Sequence, residues 1–176
     1  MNEGFFTNRT KGNIDMSAGT IESICISCRK GIVKKPVDEA EFRVDYGIEG
    51  DAHAGDWHRQ ISLLPKESIE RVREEIPNLA DGAFAENLIT AGIDLGALQI
   101  GTQLRINDEV LLEVTQIGKE CHTACAIQTL TGDCIMPREG IFCRVLHGGR
   151  VLPGMSIELL PQRHREHREH IKDVSR

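Results

Sequence analysis

A mainly-β domain, wholly or partly closed into a barrel and carrying a few short helices, is the fold class this sequence predicts. Three observations lead there. Apolar residues recur at alternate positions in many short runs, the period of a half-buried strand. Glycine-bearing turns separate those runs, with 17 glycines in 176 residues. Strands and helices do not alternate regularly, which disfavours a doubly wound parallel sheet, and closure removes the edge strands such a sheet would expose.

The elements follow in order. Met1–Ser17 is polar and Gly/Asn-rich, so residues 1–18 read as a flexible leader. Gly19–Cys28 alternates with β-branched residues and reads as a strand. Arg29-Lys30-Gly31 is a turn, and Ile32–Val37 is extended until Pro36 limits it. Ala40–Val44 is a short strand. Asp45–Trp57, DYGIEGDAHAGDW, has three glycines and four acidic residues and no periodicity. It is a loop, and long loops within compact domains are usually functional. Gln60–Leu64 is a strand, Pro65 stands where a helix starts, and Ile69, Val72 and Ile76 keep helical spacing through and just past Lys66–Glu75. Ala85–Thr90 is a strand. Thr102–Ile106 and Glu109–Gln116 flank Asn107-Asp108 as a hairpin. Ala124–Leu130 has the length of two helical turns, Ile141–His147 is a helical turn or a strand, Gly148-Gly149 is a break, and Met155–Leu160 closes the domain. The domain proper spans residues 19–160. The charged stretch 161–176 is a terminal helix or a solvated tail, and its His164, His167 and His170 read as part of that tail.

Bulk properties narrow the function. The formal net charge of −6 argues against a general nucleic-acid binder, and one Trp and one Tyr give little platform for stacking bases. No apolar run has the length to cross a bilayer, and Met1–Ser17 lacks the order of a signal peptide. A cytoplasmic location is expected. The six cysteines are then expected as reduced thiols rather than disulfides.

Chemistry concentrates in Gln116–Val145, which holds Cys121, Cys125, Cys134 and Cys143 together with His122, Arg138, Glu139 and Arg144. Cys121 and His122 with Cys125 have the ligand types of a zinc site, with Cys134, Cys143 or His147 completing it, though not the spacing of paired CxxC frameworks. The second reading makes Cys121 the chemical residue. It lies between a strand and a helix, close to Lys119, and both favour the thiolate that binds soft metals or carries sulfur. Cys143 reads as a small buried hydrophobe. Met136-Pro137-Arg138-Glu139-Gly140 reads as a rigid corner presenting a guanidinium, suited to phosphate or carboxylate, or else as a surface pair of Arg138 with Glu139. Arg144 is placed to face the same cavity as Arg138. In the long loop, Asp51 and His53 stand as a general acid–base pair or as a hydrogen-bond network stapling the loop ahead of Arg59 and Gln60. Glu86 and Asn87 lie together on a short strand.

Four motifs in order, GIEGDAHAG…HRQISLL, FAENLITAGIDLGALQIGTQLRI, EVTQIGKECHTACAI and CIMPREGIFCRVLHGGRVLPGMSIEL, resemble the MOSC domain, named for the C-terminal domain of molybdenum cofactor sulfurase. The resemblance covers roughly residues 19–160. It implies a mostly-β barrel with a few helices that binds molybdenum cofactor (molybdopterin) or carries sulfur. The family's distinctive cysteine corresponds to Cys121, which the resemblance makes a molybdenum ligand or persulfide carrier. It implies that Lys119, Arg138 and Arg144 hold the anionic pterin phosphate, while His53, Arg59, Gln60 and Asn87 shape the opposite wall. The commoner stand-alone form has a Pro-Arg pair after VTQ and a Pro before the cysteine, where this chain has Ile117-Gly118-Lys119-Glu120, so that Lys119 supplies the cation. The sulfurase's pyridoxal-phosphate domain has no counterpart in these residues.

The leading expectation is thus a molybdenum-cofactor-binding or sulfur-carrying protein whose partners are the pterin itself and a molybdoenzyme, sulfurase or reductase. Two alternatives stand beside it. One is a partner-binding module with a zinc-stabilised loop. The other is the molybdenum component of a reductase for N-hydroxylated compounds, which needs an electron donor because no flavin or iron–sulfur motif is present.

Overall fold

The computed structural model describes residues 17–119 and 134–161. Eleven strands form in the described residues: β1 Ala18–Ile26, β2 Lys35–Val37, β3 Ala40–Arg43, β4 Gly47–Ile48, β5 Ile61–Pro65, β6 Leu88–Ala91, β7 Gln103–Ile106, β8 Val110–Ile117, β9 Ile141–His147, β10 Gly149–Val151 and β11 Ser156–Leu159. Two α-helices accompany them, α1 Lys66–Arg73 and α2 Met136–Glu139, with a 3₁₀ turn at Leu95–Ala97.

The strands close into a barrel. The order β11-β7-β8-β9-β5-β6-β1 returns to β11 through an antiparallel β1–β11 pairing, and β2 extends the sheet from β1. Closure satisfies the backbone groups that an open sheet leaves exposed at its edges. The parallel pairing of β5 with β6 requires a crossover, and α1 supplies it. A separate three-stranded sheet, β10-β3-β4, carries the entry to the long loop.

Period-two burial fills the barrel. Val110, Leu112 and Val114 of β8 point inward with Leu104 and Ile106 of β7 and Ile141, Cys143 and Val145 of β9. A second cluster lies outside the barrel wall, where Leu64, Ile89 and Phe142 meet Ile69 of α1 and Met136 of α2. Phe142 reaches it because it alternates with the inward Ile141 and Cys143. The two helices are therefore fixed to the outer face of β5, β6 and β9, and that face carries the site.

The mainly-β barrel of the sequence reading stands, with one open choice resolved and several local differences. Ile141–His147 is a strand because both its neighbours, β5 and β8, are strands with open hydrogen-bonding sides. Gly149 begins β10 rather than breaking the chain, and the loop 45–57 contains β4. Strand β6 starts only at Leu88, because Ala85 has φ +66° and the preceding segment is a turn. The Met136–Gly140 corner is built on one turn of helix, Met136–Glu139. The leader, the Ala124–Leu130 helix and the histidine-bearing tail lie outside the described residues. Among the described residues no helix is long and apolar enough to cross a membrane.

Candidate functional site

A cleft of about 180 Å³ opens beside α2 on the outer face of the barrel. Its wall is built from separate parts of the chain. The β1–β2 connection brings Lys34. The long loop brings His53, Trp57 and Arg59. The strand β5 and the turn before β6 bring Ser62, Ala85 and Asn87, the end of β8 brings Lys119, and Met136 and Phe142 form the apolar side.

A buried polar network holds the loop in place. Asp51 Oδ1 accepts from Ser27 N–H at 3.0 Å, and its Oδ2 accepts from Lys34 Nζ at 2.9 Å and from His53 N–H at 3.2 Å. Burial alone would raise the Asp51 carboxyl. The His53 hydrogen bond, the Lys34 ammonium and the Ser27 amide outweigh it and hold Asp51 well below the usual carboxylate range. Gln60, also buried, accepts from Val145 N–H at 2.9 Å and donates to Gly55 O at 3.3 Å, tying the loop to β9. Asn87 joins three elements: its side-chain oxygen accepts from Ser62 N–H and Oγ–H, and its Nδ2 donates to Cys25 O at 3.1 Å.

Against this satisfied framework, several groups on the cleft are left over. Arg59 lies over the Trp57 ring at 4.8 Å and the Phe142 ring at 5.8 Å, a cation–π arrangement that fixes its plane. Its Nε is buried without a hydrogen-bond partner. Nδ1 of His53 instead faces the Asp51 carboxylate, 3.7 Å from its Oδ2. Neither the Arg59 guanidinium nor the Lys119 ammonium has a carboxylate partner among the described residues. Buried polar atoms are nearly always paired, so the partnerless Arg59 Nε stands out in this wall.

Lys119 is aimed by its backbone. Gly118 has φ +65° and approaches Pro137 so closely that a Cβ there would meet Pro137 O at 2.2 Å. Gly118 N–H donates to Gly140 O at 2.7 Å, and Lys119 N–H donates to Pro137 O at 3.2 Å. The rim is laced across as well, since Gln116 meets the His58 ring at 3.0 Å and donates to Gly118 O at 2.6 Å.

The structure separates residues that the sequence reading grouped. Lys119, Arg59, His53 and Asn87 share the cleft. Arg144 does not: it shares the outer face with Phe142 but lies two residues further along β9, where it pairs with its cross-strand neighbour Glu113 at 3.0 Å. Arg138 lines a different cavity of about 200 Å³ between α1 and α2, with Ser68, Arg71, Glu75 and Cys134. Glu139 pairs with Arg71 across that cavity. Gln60 is committed to the framework rather than the cleft wall. Cys121, His122 and Cys125 lie outside the described residues. Cys143 is fully buried in the barrel core, where burial pushes its thiol up. Among the described residues no group of three or more His, Cys, Asp or Glu side chains is arranged to hold a metal. Lys34, Ser62, Met136 and Phe142 were not foreseen as site residues. Trp57 had a signal, a single Trp in a glycine-rich loop.

The MOSC domain profile matches residues 50–158. The chain belongs to the MOSC domain family. Among curated proteins it is 30% identical over 141 residues to the uncharacterised protein YflK of Bacillus subtilis, covering 74% of this chain and 63% of that protein. It is 29% identical over 141 residues to a protein named "Reductase" from Gibberella moniliformis, covering 73% of this chain and 25% of that one. The chain thus spans less than two thirds of the length of either relative. Among solved structures, the YuaD protein of Bacillus subtilis matches with a TM-score of 0.66 at 22% identity, over 81% of this chain and 95% of that one, which establishes the shared fold.

Proposed function

We propose that this MOSC protein binds the molybdenum cofactor, with the cleft holding its anionic end and Cys121 serving as molybdenum ligand or persulfide carrier. The observation that carries the reading is the convergence of Arg59, whose buried Nε has no hydrogen-bond partner, and Lys119, both without carboxylate partners among the described residues, on one cleft. The donor set fits the group. Arg59, pre-oriented by Trp57 and Phe142, and Lys119 would hold the pterin phosphate, with Asn87 and Ser62 as polar wall. The volume suits a phosphate-sized group. Lys119 is two residues from Cys121 along the chain, so an anion held there lies near the thiol in sequence. When bound, the cofactor supplies redox and sulfur chemistry at its metal. The chain's own groups bind the anion and keep the Arg59 donor plane fixed, and Asp51 stays ionised to orient the His53 side of the loop.

The test is expression with cofactor synthesis intact, followed by molybdenum and pterin analysis of wild type and Cys121→Ser. The expected result is loading in the wild type and loss of molybdenum in the variant. Equal loading in both removes the ligand role, and no loading in either removes the cofactor reading.

The name of the fungal relative favours a second reading, the molybdenum component of a reductase for N-hydroxylated compounds. Most of that relative's length lies beyond the shared region, and this reading requires an electron donor. Turnover of an N-hydroxylated amidine with a purified donor system is the assay, and no turnover by molybdenum-loaded protein rejects this reading.

A further inference from the structure

Lys34 precedes the region matched by the family profile and stands outside the motifs dense in polar groups. Its side chain is 1% exposed and yet lines the cleft. Its ammonium donates to Asp51 Oδ2 at 2.9 Å, its sole hydrogen-bond acceptor among the described residues. An ammonium carries three donors, so two remain without a protein acceptor among those residues. Asp51 has donors besides Lys34, the Ser27 and His53 amides. A buried ion pair is a weak reason to keep a lysine, because desolvating two charges offsets most of their attraction. The position is nonetheless fixed. Lys34 N–H donates to Gly82 O at 3.3 Å, and Gly82, at φ +86°, packs so closely that a Cβ there would meet Lys34 O at 2.3 Å.

We propose that Lys34 is a ligand-contacting residue of the cleft, and that with Arg59 and Lys119 it encloses a tetrahedral oxyanion, a phosphate group, rather than a planar carboxylate. The inference rests on the reading of the cleft as an anion site. The three cations come from three different segments that line the one cleft, an arrangement suited to an anion with oxygens in several directions. A phosphate presents oxygens in several directions, whereas a carboxylate presents two in one plane.

Trp57 is the chain's single tryptophan and carries the Arg59 guanidinium on its ring, so its fluorescence reports the cleft. Inorganic phosphate and acetate are titrated into cofactor-free protein: wild type, Lys34→Met, and Lys34→Met with Asp51→Asn, which removes both charges at similar volume. The expected result is phosphate bound in preference to acetate by the wild type, and phosphate affinity weaker by about tenfold or more in both variants, the effect of losing a charged hydrogen bond. A folded double variant that binds phosphate as the wild type does overturns the proposal. If Arg59→Met alone loses phosphate, Lys34 is structural and the anion cleft stands. If the wild type does not respond to phosphate, the oxyanion assignment falls, while the cofactor reading is judged separately by pterin and molybdenum content. In protein purified with pterin bound, loss of the phosphate signal assigns the cleft to the cofactor's own phosphate, and an unchanged signal assigns it to free phosphate.

Discussion

Replacing Glu86 by Gln is expected to abolish a pH dependence of stability that the fold builds into the cleft wall. Glu86 is fully buried between Ala85 and Asn87, both cleft-lining residues. Its carboxylate accepts from Gly82 N–H at 2.7 Å and Phe84 N–H at 3.0 Å. Lys34, Cys25 and Asp81 are the titratable groups that act on it or that it acts on. Burial pushes the Glu86 carboxyl up from 4.5 to about 7, against the pull of the backbone amides. A folded-state value above the unfolded one means that the native state binds the proton more tightly. The associated stability is fully present below about pH 4.5 and is lost as pH rises through 7. Linkage over that interval gives a loss of about 2.5 kcal/mol between pH 5 and pH 8. Glu86→Gln carries no titration. It also sacrifices one amide acceptor, an offset of about 1 kcal/mol that does not vary with pH. Urea unfolding of both proteins at pH 5, 6, 7 and 8 measures the difference directly, since other titrating groups cancel. The variant is expected to gain on the wild type as pH rises, by about 2.5 kcal/mol across the range. Parallel stability profiles would show that Glu86 titrates normally and that its two amides outweigh burial.

Two further substitutions test the framework of the cleft. Gly118→Ala combines a positive φ with a Cβ placed 2.2 Å from Pro137 O, so a loss of about 1–3 kcal/mol in unfolding free energy is expected, together with weakened phosphate binding through the displaced Lys119. Unchanged stability and binding would mean that Lys119 is not positioned by this contact. Asn87→Ala strands the buried Ser62 N–H and Cys25 O, at an expected cost of about 2–4 kcal/mol by chemical denaturation, and a loss under 1 kcal/mol would show that water replaces the amide.

The barrel was legible in the sequence because its strands satisfy a local rule. Val110, Leu112 and Val114 alternate with half-exposed partners, and Ile69 and Val72 keep a helical period beside them. The sequence misleads, or leaves the choice open, where a tertiary partner decides the conformation. Ile141–His147 is compatible with either state until β5 and β8 lie on both sides, and Ala85 reads as strand until the Glu86 carboxylate draws the Gly82 and Phe84 amides into a turn. The site was legible in part for the same reason. His53, Arg59, Asn87 and Lys119 fall in motifs dense in polar groups. Lys34 stands in an unremarkable extended run, between the exposed Val33 and Lys35, and only the fold buries it against Asp51.

The division of the cations explains why charge alone misleads here. Arg138 and Lys119 attach to the same single-turn helix, the first within it and the second through Lys119 N–H to Pro137 O. They nevertheless serve separate cavities, because Met136 and Phe142 fill the space on the cleft side while Ile135 and Cys134 face α1. Arg144 is neutralised by Glu113 one strand away. What singles out Arg59 and Lys119 is therefore the lack of a counter-charge among the described residues, with the Arg59 guanidinium held on its aromatic neighbours and the Lys119 backbone held against α2. An unpaired, pre-oriented cation loses little conformational entropy when an anion arrives. The same argument predicts that Arg59→Lys, which keeps the charge but gives up the stacked plane between Trp57 and Phe142, will bind phosphate appreciably more weakly than wild type. Wild-type affinity in that variant would mean that charge alone suffices and that the aromatic setting serves packing.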